Sequence, residues 1–333
     1  MISGCLGQSH EIIQKGKTMS VIELFKKGEP YMGYLYIKNQ LVKTSVKGSR
    51  YFNMTLSDTA FKTIEAKMWD VKPADEEEFT GGQLVKIKGM IQEYNGNLQL
   101  IVNRMRVANE GDDVRLEDYV ESAPVSVEEM FGDLQKTIAN FKNLDLQKIV
   151  GTILEDKKEV LFYAPAAKSF HHAIKGGLLY HTWSMHNLGK AIAPLYPFIN
   201  EDLLLAGVIL HDLGKISEML SDKNGSVSDY TPEGKLLGHI VSEIVEIDSY
   251  GQELEIDQEV VLALKHMVLS HHYEPEFGSP VRPMFPEAEL LHHLDIIDAR
   301  MNTMEKIQNS IEPGHFSEKI WGLDNIQVYR PRV

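Results

Sequence analysis

The hydrophobic period of this chain changes once, and that change bounds what it can fold into. Over residues 33–108 apolar and polar residues alternate between turn signals, whereas from residue 126 onward apolar residues recur at helical spacing. The first pattern makes half-buried strands and the second amphipathic helices, so a β domain followed by an all-α domain is expected. The length of 333 residues, more than one compact domain usually holds, agrees with a division in two. Five segments carry the alternation: "GYLYIKNQLV", "YFNMTLSD", "TIEAKMWD", "QLVKIKGMIQEY" and "LQLIVNRMRV". The last two meet through "NGN" at 95–97, a hairpin signal, and "KPADEEEF" fits a short helix between the third and fourth. Five short strands with one helical insertion predict a small closed barrel of the oligonucleotide-binding (OB) type.

Alternation also assigns faces. Phe52, Met54, Leu56, Ile64, Ala66, Val85, Ile87 and Ile91 point to the core, while Tyr51, Trp69, Tyr94, Lys86 and Lys88 point outward. Aromatic faces stack on bases and lysines track phosphates, so this surface suits a single-stranded nucleic acid. The alternative is that these rings cap the barrel or pack on the other domain. A net charge of −14 argues against coating nucleic acid by bulk charge alone. Residues 33–108, however, hold eleven Lys or Arg against eight Asp or Glu, a local +3 that leaves −17 elsewhere.

An apolar fraction of 43% and a charged fraction of 25% describe a soluble globular chain. No apolar run approaches the ~20 residues a bilayer demands. Cys5 is the single cysteine, so no intrachain disulfide forms and a cytoplasmic setting is expected. The start "MISGCLGQ" resembles a lipoprotein cleavage site but lacks a basic-then-apolar leader, so no lipid anchor is expected. The organisation expected is a flexible extension over 1–20 with Met19 as an alternative start, a barrel over 21–108, an acidic linker over 109–125, a helical domain over 126–315 and a tail over 316–333. Ser126 followed by Glu129 is a capping-box signature for the first helix. Further helices are expected near 144–156, 177–193, 201–212, 234–250, 257–271 and 286–307, after a first near 127–141.

Histidines and carboxylates recur at the ends of apolar runs in this half: His181 in "GGLLYHTWSM", His211 and Asp212 in "VILHDLGK", His239 in "KLLGHIVSE", His271 and His272 in "VLSHHYEPE", and Asp295 and Asp298 in "LLHHLDIIDARM". One histidine at a helix end is usually a satisfied polar residue. The adjacent His211–Asp212 pair constrains more, because a buried carboxylate without a partner costs several kcal/mol. A divalent cation would remove that cost.

The order H…HD…H…HH…D resembles the metal-dependent HD phosphohydrolase superfamily, with "HDLGK" as its signature. Read with the barrel, the elements "FHHAIKGGLLYHTWSM", "LLLAGVILHDLGKISE" and "GSPVRPMFPEAELLHHLDIIDARM" resemble the YhaM-type 3′-to-5′ exoribonucleases over roughly residues 21–310. The resemblance implies an HD-domain helical bundle in which His181, His211, Asp212 and Asp295 hold one metal. Asp212 would bridge to a second, completed by His239, His271 and His272, while Asp298 supports from behind. Two divalent ions are implied, and the imidazole-rich shell favours Mn²⁺, then Fe²⁺ or Co²⁺, over Mg²⁺. Asp212 and Lys215 become the catalytic candidates, Lys215 reaching a phosphate oxygen across a turn that Gly214 permits. Arg282 is a candidate phosphate ligand or a structural ion pair, and His172 a candidate substrate contact.

The function implied is a metal-dependent exonuclease on single-stranded RNA, with single-stranded DNA as a second strand, releasing nucleoside 5′-monophosphates. No membrane partner is expected, and self-association is left open. Two competitors remain: an HD phosphodiesterase of a small nucleotide or cyclic dinucleotide, and a non-catalytic DNA-binding factor. "HHYEPEFGSP" lacks the GYP element of HD-GYP phosphodiesterases, which weakens the first. The complete ligand series weakens the second.

Overall fold

The structure, a computed structural model, describes residues 19–46, 48–168 and 172–333. The reading of residues 1–18 as an extension, and of Cys5 within it, lies outside the described residues. Contacts divide the chain into two compact units that meet between Val120 and Glu121.

The first unit is built on five strands: β1 (Pro30–Thr44), β2 (Arg50–Ser57), β3 (Thr63–Trp69), β4 (Leu84–Tyr94) and β5 (Asn97–Val107), with α1 (Pro73–Glu78) between β3 and β4. They close in the order β1-β2-β3-β5-β4, antiparallel except for the β3–β5 pair. β1 is long enough to pair with β2 at one end and β4 at the other, and its register shift at Ile37/Asn39 bends it between them. The expected inward residues fill the barrel: Phe52, Met54, Leu56, Ala66, Val85 and Ile87 are wholly buried. Each such large side chain removed from water is worth ~1.5–3 kcal/mol, which fixes the register and so the outward set.

The start of the 109–125 segment is held on this barrel. Asp112 accepts both guanidinium nitrogens of Arg106 at 2.6 and 2.7 Å and a hydrogen bond from the Tyr34 hydroxyl. Those donors hold its carboxyl well below the usual range.

The second unit is mainly helical: α2 (Val127–Ala139), α3 (Leu144–Asp156), α4 (Lys158–Leu161), α5 (Gly177–Ile192), α6 (Glu201–Leu210) and α7 (Lys215–Glu218) come first. A hairpin of β6 (Met219–Ser221) and β7 (Val227–Tyr230) precedes α8 (Pro232–Glu253), α9 (Gln258–Ser270) and α10 (Pro286–Ser310). The stretch expected as a tail carries β8 (Phe316–Ile320) and β9 (Ile326–Tyr329), paired as a second hairpin. Ser126 Oγ accepts the Glu129 backbone N–H at 3.3 Å and caps α2.

α6 explains the apolar run before His211. Leu204 to Leu210 are all buried, as in a helix that is apolar all round, and α3, α5, α9 and α10 pack against it. Its C-terminus therefore opens in the middle of the bundle. α8 departs from the unbroken helix expected: Gly238 takes φ 70°, a left-handed conformation that favours glycine, and kinks the helix immediately before His239.

Candidate metal centre

Every histidine of the series is aimed by the same device. A ring N–H at Nδ1 faces a fixed acceptor, and Nε2 is left to face inward. His211 donates to Val208 O at 2.9 Å, His271 to Val268 O at 2.7 Å and His272 to Phe277 O at 2.7 Å. His181, on α5, donates to Asp298 Oδ2 at 2.7 Å, and His239 faces Glu218 Oε1 at 3.4 Å. Acceptors of this kind settle the tautomer and leave the Nε2 lone pair for a cation.

The inward atoms converge on Asp212, which is 2% exposed. Its Oδ2 lies 3.6 Å from His181 Nε2 and 3.3 Å from His211 Nε2. Its Oδ1 lies 3.3 Å from His239 Nε2 and 3.8 Å from His271 Nε2. Asp295 Oδ1, on α10, is 3.4 Å from His181 Nε2. Donor atoms of His181, His211 and Asp212 fall within 4.8 Å of one another, as do those of Asp212, His239, His271 and His272, and those of His211, His271 and Asp295. Asp212 thus belongs to two groups, one on each oxygen.

The fit to a cation can be judged from what these atoms lack. Asp212 Oδ1, His211 Nε2, His239 Nε2 and His271 Nε2 are buried and have no hydrogen-bond partner. Buried polar atoms are normally satisfied, and four unsatisfied ones aimed at each other define a site for something with positive charge. Metal–ligand bonds near 2.0–2.2 Å place donors roughly 3 Å apart, close to the spacings found here. Imidazoles plus carboxylates suit a divalent transition ion.

The same electrostatics appear in the protonation states. Burial alone would raise the Asp212 carboxyl, but the Lys215 ammonium at 2.7 Å and the histidines around it hold it well below the ordinary value. Burial would lower His181, yet Asp295 and Asp298 push it up to about 10. Burial is again overcome at His239, which Asp212 and Glu218 push up to about 9. Without metal, protons on histidine serve as the counter-charge that the carboxylates demand.

Four residues singled out in the sequence take definite places here. Gly214 has φ −60° and ψ −19°, a conformation any residue adopts, so it does not serve to turn the chain. What it supplies is space: a Cβ there would lie 2.3 Å from His239 O. Lys215 opens α7 and pairs with Asp212 at 2.7 Å while also lining a cleft with Glu218, His272 and Asp295, so its ammonium is shared with the carboxylate. His172 is 1% exposed and its Nε2 bonds Asp298 Oδ2 at 2.7 Å, which removes it from substrate contact and makes it a brace for the carboxylate that aims His181. Arg282 pairs with Glu274 of its own loop at 2.8 Å and lies 4.9 Å from the Tyr273 ring, so it makes a structural ion pair on an exposed loop.

Glu218 was not anticipated. Its Oε1 accepts the His239 backbone N–H at 3.2 Å, capping the helix beyond the Gly238 kink, and faces the same residue's ring. Nothing in its spacing marks it, because the contact crosses 21 residues.

On the barrel, Tyr51 and Trp69 are register partners with rings 4.6 Å apart, and Trp69 and Tyr94 are 43% and 62% exposed. Lys67 Nζ sits 5.1 Å from the Tyr94 ring and 5.8 Å from that of Trp69. Lys67, two residues before Trp69 on β3, shares its face of the sheet. Lys88 is exposed, but Lys86 lies 5.0 Å from the Tyr34 ring and 4.0 Å from Asp112, so its charge is partly spent on the barrel itself.

Fold and site together define an HD-domain protein joined to an OB-fold domain. Residues 178–300 match the HD domain family, and residues 40–108 match the OB-fold nucleic acid binding domain family. Over 308 residues the chain is 42% identical to the 3′-5′ exoribonuclease YhaM of Listeria welshimeri, covering 92% of this chain and 97% of that protein. It is 40% identical over 311 residues to the 3′-5′ exoribonuclease YhaM of Bacillus subtilis, covering 93% and 98%. The chain belongs to the YhaM family of 3′-5′ exoribonucleases.

Proposed function

We propose that this chain is a divalent-metal-dependent exonuclease that shortens single-stranded RNA from the 3′ end and releases nucleoside 5′-monophosphates, with single-stranded DNA as a second substrate. The observation that carries the reading is the convergence of unsatisfied imidazole and carboxylate atoms on Asp212. The named activity of the YhaM relatives supports the strand and the direction. His181, His211, Asp212 and Asp295 would hold one ion, and Asp212, His239, His271 and His272 a second. Mn²⁺ is the first choice and Fe²⁺ or Co²⁺ the next. Ions bound there supply an activated water and neutralise charge growing on the phosphate.

The protein's own groups position everything else. Asp298, braced by His172, holds the His181 ring, and Glu218 holds His239. Lys215 borders the cleft beside His272 and Asp295, where its ammonium meets an incoming phosphate. The cleft is open to solvent and lined by Lys215, Glu218, Met219, Tyr230, His272 and Asp295, so a strand end can enter it. The barrel, tethered in the same chain, raises the local concentration of strand ends.

The test is incubation of metal-reconstituted protein with 5′-labelled single-stranded RNA in Mn²⁺ or Mg²⁺. A ladder shrinking from the 3′ end is expected, strongest with Mn²⁺; RNA left intact with every metal refutes the proposal. Deleting residues up to about 125 should weaken cleavage of long strands more than of very short ones.

A further inference from the structure

The cleft has two unlike walls. One is polar and continuous with the candidate metal centre: Lys215, Glu218, His272 and Asp295. The other is apolar and includes Met219, Tyr230, Ile296 and Ala299. The ligand geometry around Asp212 accounts for the first wall and leaves the second without a role.

Tyr230 is delivered there by the β6–β7 hairpin, an insertion between α7 and α8. It is the last residue of β7 and pairs with Met219, the residue directly after Glu218. Thr231 then locks the strand end to α7: its N–H donates to Glu218 O at 2.9 Å and its hydroxyl to Ser217 O at 2.8 Å. Lys168 steadies the other side, donating to Ser228 O at 3.2 Å with its ammonium 5.9 Å from the Tyr230 ring. The ring is half-buried and held in fixed relation to Lys215 and Glu218. Ile296 and Ala299 extend the wall from α10, next to Asp295 on the same helix.

We propose that Tyr230, with Ile296 beside it, forms the subsite for the terminal nucleoside, the base lying on the Tyr230 ring while its phosphate faces the Lys215–Asp295 wall. An apolar, aromatic set and a cationic, metal-ligating set lining one cleft match the two halves of a single nucleotide. Stacking of this kind tolerates any base, as an enzyme that removes residues one after another demands. The inference rests on the exonuclease reading and specifies how its substrate end is held.

The experiment compares wild type with Tyr230→Ala, Tyr230→Leu and Tyr230→Trp, in Mn²⁺, on two short RNAs that end in adenosine or in an abasic ribose. Tyr230→Ala and Tyr230→Leu are expected to lower kcat/KM on the adenosine end roughly 5- to 100-fold, the span of one base stacked on one ring, while Tyr230→Trp stays near wild type. On the abasic end the wild type should fall to the level of the variants, which lose nothing more. Equal losses on both ends, or no loss on the adenosine end, overturn the subsite. A parallel titration with adenosine 5′-monophosphate and ribose 5-phosphate reads binding without turnover. If wild type cuts neither RNA, the exonuclease reading fails, and the titration decides the subsite: selective loss of the adenine ligand in Tyr230→Leu supports it, and equal affinity overturns it.

Discussion

Substituting Gly214 by alanine tests the packing that brings His239 to Asp212. The backbone there is ordinary helix, so alanine brings no conformational penalty; a negative effect must come from the added methyl. That methyl would lie 2.3 Å from His239 O and 3.1 Å from Glu243 Cβ. Carbon and carbonyl oxygen tolerate about 3.3 Å, so the turn after His211 and the second segment of α8 must separate by about 1 Å. Overpacking of this sort costs ~1–3 kcal/mol, which in a unit of this size lowers Tm by roughly 2–10 °C. The same ångström falls on the 3.3 Å approach of His239 Nε2 to Asp212 Oδ1. A displacement of that size costs on the order of 100-fold in rate. Calorimetry, metal content after Mn²⁺ loading and decay of 5′-labelled RNA together read the three effects. Gly132 in α2 is the control, because a Cβ there meets nothing within 4 Å and alanine should stabilise by ~0.5–1 kcal/mol. Wild-type Tm, metal content and rate in Gly214→Ala would refute the claim that a missing side chain sets the site.

Glu243 is fully buried with neither carboxyl oxygen hydrogen-bonded, and burial pushes its carboxyl up to about 8. The stability it contributes when neutral is complete below the unfolded value near 4.5 and is lost as pH rises through 8. The loss approaches ~5 kcal/mol, so in chelator-treated protein Glu243→Gln should gain Tm over wild type progressively from pH 5 to pH 9; a gap independent of pH contradicts this. Chelation should abolish hydrolysis and lower Tm, with Mn²⁺ restoring both better than Mg²⁺. Metal uptake should weaken as pH falls, because protons at His181 and His239 compete for the same nitrogens, and calorimetric titration at two pH values reads it. On the barrel, Tyr51→Ala, Trp69→Ala and Tyr94→Ala should each weaken single-strand binding by ~1–3 kcal/mol. Lys67→Gln should lower the salt slope of that binding by about 1, as fluorescence anisotropy would register.

The barrel was legible in the sequence because its signals are local. A period of two places Phe52, Met54 and Leu56 inside and Tyr51 outside whatever lies across the sheet, and the strands fall where the alternation runs. The ligand series was legible for a different reason: imidazole and carboxylate are scarce inside proteins, so an apolar helix ending in His211–Asp212 announces a buried polar centre. The β6–β7 hairpin was missed although Asn224–Gly225 is a turn signal. Its strands are three and four residues long, too short for an alternation to show.

What the sequence by itself determined is the set of candidate donors and the two kinds of element that carry them, since period and residue chemistry belong to neighbouring positions. Only the tertiary structure decided which atom each donor presents. His181 turns its Nε2 inward because Asp298, 117 positions away, accepts its Nδ1–H, and the same carboxylate holds the buried His172. His239 reaches Asp212 because Glu218 caps a kinked helix and Gly214 has no side chain in the way. Arg282 meets Glu274 only because the loop folds back on itself. Each of these outcomes depends on distances between elements far apart in the chain, and the apolar packing around α6 sets those distances rather than any pattern at the residues themselves.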